Sequence, residues 1–290
     1  MSHQLHSYFL QDKNFKLDIR SLFIFFILCI VAWLLNVSTQ ITFPSKSFIS
    51  HFARTASLAI GVLIVIVGST RLLKKNNIPG EVLGLKLSLK SFFSFILGNV
   101  VGMIVLILMG SILYVFVPYH FETGSLKGVE VFKEANSYFW GNFLEELIFR
   151  GYPLIVLSQL VGWRKAVWIM ALPFGLFHLP GLGFNIDGLK MVITTATFSF
   201  IFSYAFILTG TLWAAIGAHV ITNIILHSIS GLDGLEGAMF IPVFDAKWPV
   251  NYNPGLISFL LGAIIISIIL SIFIKRQFSG LTINIKAQCA

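Results

Sequence analysis

Long runs of apolar residues, separated by short polar segments, recur along the whole chain. A helix needs about 20 apolar residues to cross the hydrocarbon core of a bilayer, and most of the runs approach or exceed this length. They predict about eight membrane spans, at residues 21–37, 55–71, 92–117, 136–161, 165–180, 191–208, 211–230 and 255–274. The predicted fold is therefore an all-α, polytopic membrane helix bundle, with residues 1–290 forming a single membrane domain.

Composition agrees with this class. Of the residues, 57% are hydrophobic and 11% are charged, whereas soluble domains carry about 25% charged residues. Cys29 and Cys289 are too few for a disulfide framework. The net charge of +8 does not predict a nucleic-acid partner, because basic residues beside spans set topology and contact anionic lipid head groups.

The distribution of charge predicts an orientation. Segment 71–91 alone carries five lysines and arginines, and basic residues concentrate on the cytoplasmic side of membrane proteins. We therefore expect both termini to be cytoplasmic in a multi-pass protein of the cell membrane. Segment 71–91 is either a short helix on the inner membrane surface or a plain basic loop. The outer loop, residues 231–254, is either a lid over a cavity or an interfacial connector.

One predicted span contains three charged residues, in the stretch FLEELIFRGYPL. A charge at mid-membrane costs roughly 2.5–3.5 kcal/mol on insertion scales, so it persists only where it is paired, hydrated or functional. Glu146 and Arg150 are four residues apart and share a helix face, which predicts an ion pair. Glu145 is turned by about 100° from Glu146, which leaves its carboxylate available to a cavity. A purely structural cluster of all three charges is the alternative.

Two more predicted spans carry polar side chains in apolar surroundings. His178 lies near the end of the fifth span, and His219 and Asn223 share one face of the seventh. Each alone is typical of an interface or packing residue. Together with Glu145, they could activate water, stabilise an oxyanion and protonate a leaving amine. The predicted span ends place His178 nearer the outer mouth than the other three residues, unless the fifth span tilts or ends early.

The polar residues form three motifs in chain order. They are EExxxR (Glu145, Glu146, Arg150), FxxxH (Phe174, His178) and HxxxN (His219, Asn223). In this order and spacing the chain resembles the CPBP family, which comprises the CAAX prenyl proteases of the Ras-converting type and the bacteriocin-processing enzymes of the Abi family. The resemblance is concentrated in residues 135–230, the predicted catalytic core.

The resemblance implies an intramembrane, glutamate-dependent endopeptidase. In this chain, Glu145 and His178 would activate the attacking water, and His219 and Asn223 would stabilise the oxyanion. Supporting roles would fall to Glu146, Arg150 and Phe174. The water-activating pair does not require a cofactor, although a zinc ion held by Glu145, His178 and His219 stays an open alternative.

The implied substrate is a membrane-associated peptide or protein. The compact chain favours a bacterial protein, for which prenylated substrates are not expected. Two other functions remain open, namely a non-catalytic scaffold or bacteriocin-immunity protein, and a transporter or proton channel. The motifs HExxH, GxGD and GxSG of other membrane protease classes do not occur at the required places. The sequence does not specify the oligomeric state.

Overall fold

The computed structural model describes residues 6–43, 47–181, 183–232, 238–245 and 254–288. It confirms the predicted all-α, polytopic helix bundle. The helices are α1 (Ile19–Thr42), α2 (Phe48–Lys75), α3 (Leu89–Phe116), α4 (Gly128–Glu146), α5 (Tyr152–Val161), α6 (Trp163–Phe177), α7 (Ile186–Thr209), α8 (Leu212–Asn223) and α9 (Pro254–Gln288). Shorter elements are the 3₁₀ turns Gly80–Leu83 and Leu179–Gly181, the π-helical segments Leu147–Gly151 and Ile224–Ile229, and the strands β1 (Tyr119–Thr123) and β2 (Phe240–Phe244).

Six helices in the described part of the chain are long and apolar enough to cross a membrane. The predicted spans 136–161 and 165–180 are helical but differ from simple spans. The first is divided by the π-helical segment Leu147–Gly151 into α4 and α5. The second, α6, has only 15 residues, fewer than the roughly 17–25 that a spanning helix needs. These two interrupted segments carry the first two motifs.

Helices α3 and α8 pack closely because glycines remove side chains from their interface. A Cβ atom on Gly98 would lie 2.1 Å from the carbonyl oxygen of Ala214, and one on Gly102 would lie 2.8 Å from that of Ala218. A Cβ on Gly217 would collide in the same way with Phe95, at 2.2 Å from its carbonyl oxygen. The glycines of the GNVVG stretch therefore form a close helix contact, as small residues do in membrane bundles.

Gly98→Ala is expected to destabilise the protein, because α3 and α8 must separate to admit the methyl group. Overpacking of this kind costs about 1–3 kcal/mol. Gly141→Ala is the matched control, since a Cβ on Gly141 of α4 would meet nothing within 4 Å. The control should be neutral or up to about 1 kcal/mol more stable, because glycine is unfavourable inside helices. Thermal unfolding in detergent would test both, and equal stability of the two variants would contradict the packing.

The turn between α7 and α8 is the tight one that Thr209 and Gly210 predict. Gly210 has φ +67°, a left-handed conformation that favours glycine. The side chain of Thr211 then caps α8 by accepting a hydrogen bond from the backbone N–H of Trp213. This short connection fixes α7 against α8, and both helices contribute residues to the site described below.

The segment before α1 packs against the bundle. Phe9 is fully buried, with its ring centroid 5.1 Å from that of Phe206. Gln159 donates hydrogen bonds to the backbone carbonyls on both sides of Phe9. A hydrogen bond with Lys75 lowers the pKa of Asp18, which caps α1, to about 2. The segment therefore joins α1, α2, α5 and α7.

The sequence left two structural alternatives open for each of two connecting segments. In segment 71–91, the turn Gly80–Leu83 buries Val82 and Leu83, so no surface-lying helix forms there. In the outer loop, β2 pairs antiparallel with β1, Tyr119 standing opposite Phe244. Residues 233–237 and 246–253 of that loop lie outside the described residues, and so does Cys289.

Candidate functional site

The charged stretch spans the point where α4 ends and a π-helical segment begins. Glu145 and Glu146 are the last two residues of α4, and Arg150 lies in the π-helical segment that follows. Single π turns inside helices occur frequently at functional sites, since the extra residue redirects side chains. The predicted ion pair is present, with Arg150 Nη1 3.1 Å from Glu146 Oε1 and both side chains fully buried.

Arg150 is held on several sides within the bundle. Its Nη2 donates to the hydroxyl of Ser199 at 2.7 Å, and its Nε donates to that of Ser203 at 3.4 Å. The guanidinium carbon lies 4.0 Å from the ring centroid of Phe174. A buried guanidinium needs such hydrogen bonds and a counter-charge to offset its lost hydration. Phe174 of the FxxxH motif therefore helps to hold the EExxxR motif in place.

His178 lies at the C-terminal end of α6 and faces Glu145. Its Nδ1 is 2.8 Å from the carbonyl oxygen of Phe174. A carbonyl only accepts, so Nδ1 carries the hydrogen, and Nε2 of the neutral ring presents its lone pair. Nε2 lies 3.7 Å from Glu145 Oε2. The two side chains are 25% and 22% exposed, whereas Glu146 beside them is fully buried.

His178 lies beside Glu145, so the difference in depth that the predicted span ends implied is absent. That expectation rested on two uninterrupted spans, 136–161 and 165–180. The structure instead ends α4 at Glu146 and ends α6 at Phe177. Glu145 thus lies just before the π-helical segment and His178 just after the end of α6, and the two side chains meet there.

His219 on α8 lies between the two glutamates. Its Nδ1 is 2.8 Å from Glu146 Oε1, and its Nε2 is 4.0 Å from Glu145 Oε2. The imidazole stacks on the ring of Phe202, with centroids 4.4 Å apart. The side chain is only 5% exposed. Glu146 therefore orients the ring, and Nε2 is the nitrogen that faces Glu145.

Asn223 is the last residue of α8 and contacts an asparagine that the sequence reading missed. Its Nδ2 donates to Oδ1 of Asn142 on α4, at 3.1 Å. Asn142 precedes Glu145 by three residues, so the two share a helix face. The sequence did contain a signal for Asn142, namely a carboxamide in an apolar helix on the same face as Glu145. The structure thus brings Glu145, His178 and His219 together, and it places Asn223 one turn after His219 on α8, in contact with Asn142.

The three candidate zinc ligands lie farther apart than a bound zinc ion would hold them. Ligand atoms of one tetrahedral zinc lie roughly 3.4 Å apart, given metal–ligand distances near 2.0–2.1 Å. Glu145 Oε2 is 3.7 Å and 4.0 Å from the Nε2 atoms of His178 and His219. Among the described residues, no group of three or more histidine, cysteine, aspartate or glutamate side chains is arranged to hold a metal ion.

Comparison with known proteins supplies independent information about this region. Residues 135–225 match the family model described as type II CAAX prenyl endopeptidase, Rce1-like. No curated protein matches the chain. The matched segment contains all three motifs and lies within residues 135–230. The family supports intramembrane endopeptidase activity in general. Residues 135–225 are therefore similar to the Rce1-like, type II CAAX prenyl endopeptidase domain, which is consistent with a protease of the CPBP family.

Proposed function

We propose that this protein is an intramembrane, glutamate-dependent endopeptidase that hydrolyses a peptide bond in a membrane-associated peptide or protein. One observation carries the proposal. The carboxylate of Glu145 faces the Nε2 atoms of two histidines, at 3.7 Å and 4.0 Å, in a partly exposed position within an apolar bundle. Such a group is costly in a membrane unless it performs a function.

Glu145 and His178 would activate the attacking water. Their separation of 3.7 Å exceeds a direct hydrogen bond, but it suits two acceptors that share one water molecule. The carboxylate and the lone pair on Nε2 would each accept one hydrogen of that water. As the oxygen attacks the carbonyl carbon, one acceptor takes its proton and later delivers it to the leaving amine.

His219 and Asn223 would stabilise the negative charge that develops on the carbonyl oxygen. Asn223 can donate a hydrogen bond from Nδ2. Glu146 holds His219 through Nδ1, which leaves Nε2 facing the reaction site. Donors aimed at a developing oxyanion are commonly the largest contribution to such catalysis.

The surroundings support a substrate that approaches along α4. Gly141 lies one helical turn before Glu145 and shares its face, and a Cβ there would meet nothing within 4 Å. Open space therefore lies beside α4 on the face that carries Glu145. Cytoplasmic termini and a bacterial source remain part of the proposal. For a bacterial protein, the substrate would be an unprenylated peptide.

The test compares cells that carry wild-type protein with cells that carry Glu145→Gln, at matched protein levels. Mass spectrometry would read newly formed peptide ends in the membrane and secreted fractions. We expect ends that appear with wild type and are absent with the variant, because glutamine keeps the shape of the side chain but cannot act as a base.

Glu130→Gln is the matched control for that test. It makes the same chemical change at the other end of α4, where the side chain caps the helix and is exposed. Its peptide ends should equal those of wild type. Ends that persist in Glu145→Gln would overturn the protease assignment. Identical peptides in all three strains, together with an unchanged cellular phenotype, would favour a non-catalytic scaffold.

A further inference from the structure

Asn142 contacts the site but belongs to none of the three motifs. Its side chain is buried, with 3% of the residue exposed. Its Oδ1 accepts the hydrogen bond from Nδ2 of Asn223 at 3.1 Å. Its own Nδ2 has no hydrogen-bond partner among the described residues. A buried carboxamide with an unused donor is unfavourable in an apolar environment, so packing alone is a poor reason for an asparagine at this position.

Asn223 needs an anchor because of where it lies. It ends α8, and the π-helical segment Ile224–Ile229 begins at the next residue. Its side chain has two rotatable bonds and reaches across to α4. The bond to Asn142 uses one of the two hydrogens on Nδ2 and leaves the other for a second acceptor. It therefore restricts the directions in which the second hydrogen can point.

We propose that Asn142 is a positioning residue, which fixes the carboxamide of Asn223 so that its second Nδ2 hydrogen meets the carbonyl oxygen of the scissile bond. This inference rests on the proposed function, since it assigns Asn142 a part in the same oxyanion site. Asn142 acts through Asn223 and does not itself touch the reacting atoms. Catalytic donors act strongly only when they are held in place before charge develops.

A double-mutant cycle tests the proposal with purified, full-length protein in detergent. The substrate is a peptide that spans the cleavage site identified in cells. Asn142→Leu keeps the approximate size of the side chain and removes the acceptor. We expect kcat to fall about 10- to 100-fold with KM unchanged, somewhat less than the 10²–10³-fold loss typical of deleting an oxyanion donor. Asn223→Leu should lose about 10²-fold, and the double variant should lose no more than Asn223→Leu alone.

Thr222→Val is the control for a general disturbance of this helix end. Thr222 is buried beside Asn223, but its hydroxyl donates to the backbone of Ala218. Its kcat should stay within about twofold of wild type, as expected for a residue outside the site. Asn142→Ala adds no bulk, so it provides the same comparison if the leucine variant does not fold.

The outcomes separate this inference from the proposed function. Losses that multiply in the double variant would show that Asn142 acts independently of Asn223 and would overturn the positioning role. An unchanged kcat in the Asn142 variants would overturn it as well. Normal cleavage by Glu145→Gln would instead refute the proposed function, and the inference would fall with it.

Discussion

Purified protein carrying Glu145→Gln is expected to cleave its peptide substrate about 10³-fold more slowly than wild type, within the 10²–10⁴-fold range that general bases contribute. His178→Gln should cause a loss of similar order, because Glu145 and His178 would hold the same water molecule. Changing both residues should lower the rate little further than Glu145→Gln alone, since groups that act as one unit are strongly non-additive. Single-turnover cleavage in detergent would measure all three variants.

His51→Gln is the matched control for the histidine change. His51 lies near the start of α2, apart from the three motifs, and its replacement should leave the rate unchanged. Independent contributions from Glu145 and His178 would appear as losses that multiply in the double variant. That result would contradict the shared water, although each residue would still contribute to the reaction.

The sequence predicts which residues form the site, because a charged side chain in a membrane helix is costly unless it is paired, hydrated or functional. Glu146 and Arg150 are four residues apart, and a buried pair at that spacing is close to obligatory once both lie in an apolar helix. The glutamate, the two histidines and the asparagine converge for the same reason. Each is expensive in lipid, so all four are expected to face the interior of the bundle. Helical spacing then indicates which residues share a face.

The sequence does not predict where the motif helices stop. After Glu146 the helix changes from α to π geometry. Apolar residues continue on both sides of this change, so the hydropathy profile shows no interruption there. The predicted span 165–180 likewise ends three residues after α6, beyond His178. These span ends placed His178 at a different depth from Glu145. Tertiary packing decides these ends, since the freed backbone groups find partners only inside the folded bundle.

The sequence pattern also did not predict which side chains on other helices bind the motif residues. Ser199 and Ser203 bind the guanidinium of Arg150 from α7, but serines are ordinary residues of membrane helices. Their spacing of four residues showed only that they share a face. Asn142 was more visible, because a carboxamide three residues before Glu145 is unusual in such a helix. Knowing that it binds Asn223 required the contact between α4 and α8.

Arg150→Met is expected to destabilise the folded protein by about 3–5 kcal/mol, the usual cost of leaving a buried charge without its partner. Methionine has similar length and is apolar, so lost volume contributes little. The carboxylate of Glu146 would remain fully buried, and its Oε2 already has no hydrogen-bond partner among the described residues. His219 would be its only remaining counterpart among the groups that contact it now. Thermal unfolding in detergent and the yield of monodisperse protein would measure the loss.

The double variant Glu146→Gln with Arg150→Met distinguishes an unpaired charge from lost packing. Removing both charges eliminates the buried carboxylate, so the double variant should be more stable than Arg150→Met alone. Arg164→Met is the control, because Arg164 is exposed and only approaches the ring of Trp163, at 5.3 Å. It should cost at most about 1 kcal/mol. A double variant as unstable as Arg150→Met would mean that Arg150 stabilises the bundle through Ser199, Ser203 and Phe174 rather than through charge. The EExxxR motif would then hold α7 against the α4–α5 segment, and Glu146 would serve mainly to orient His219.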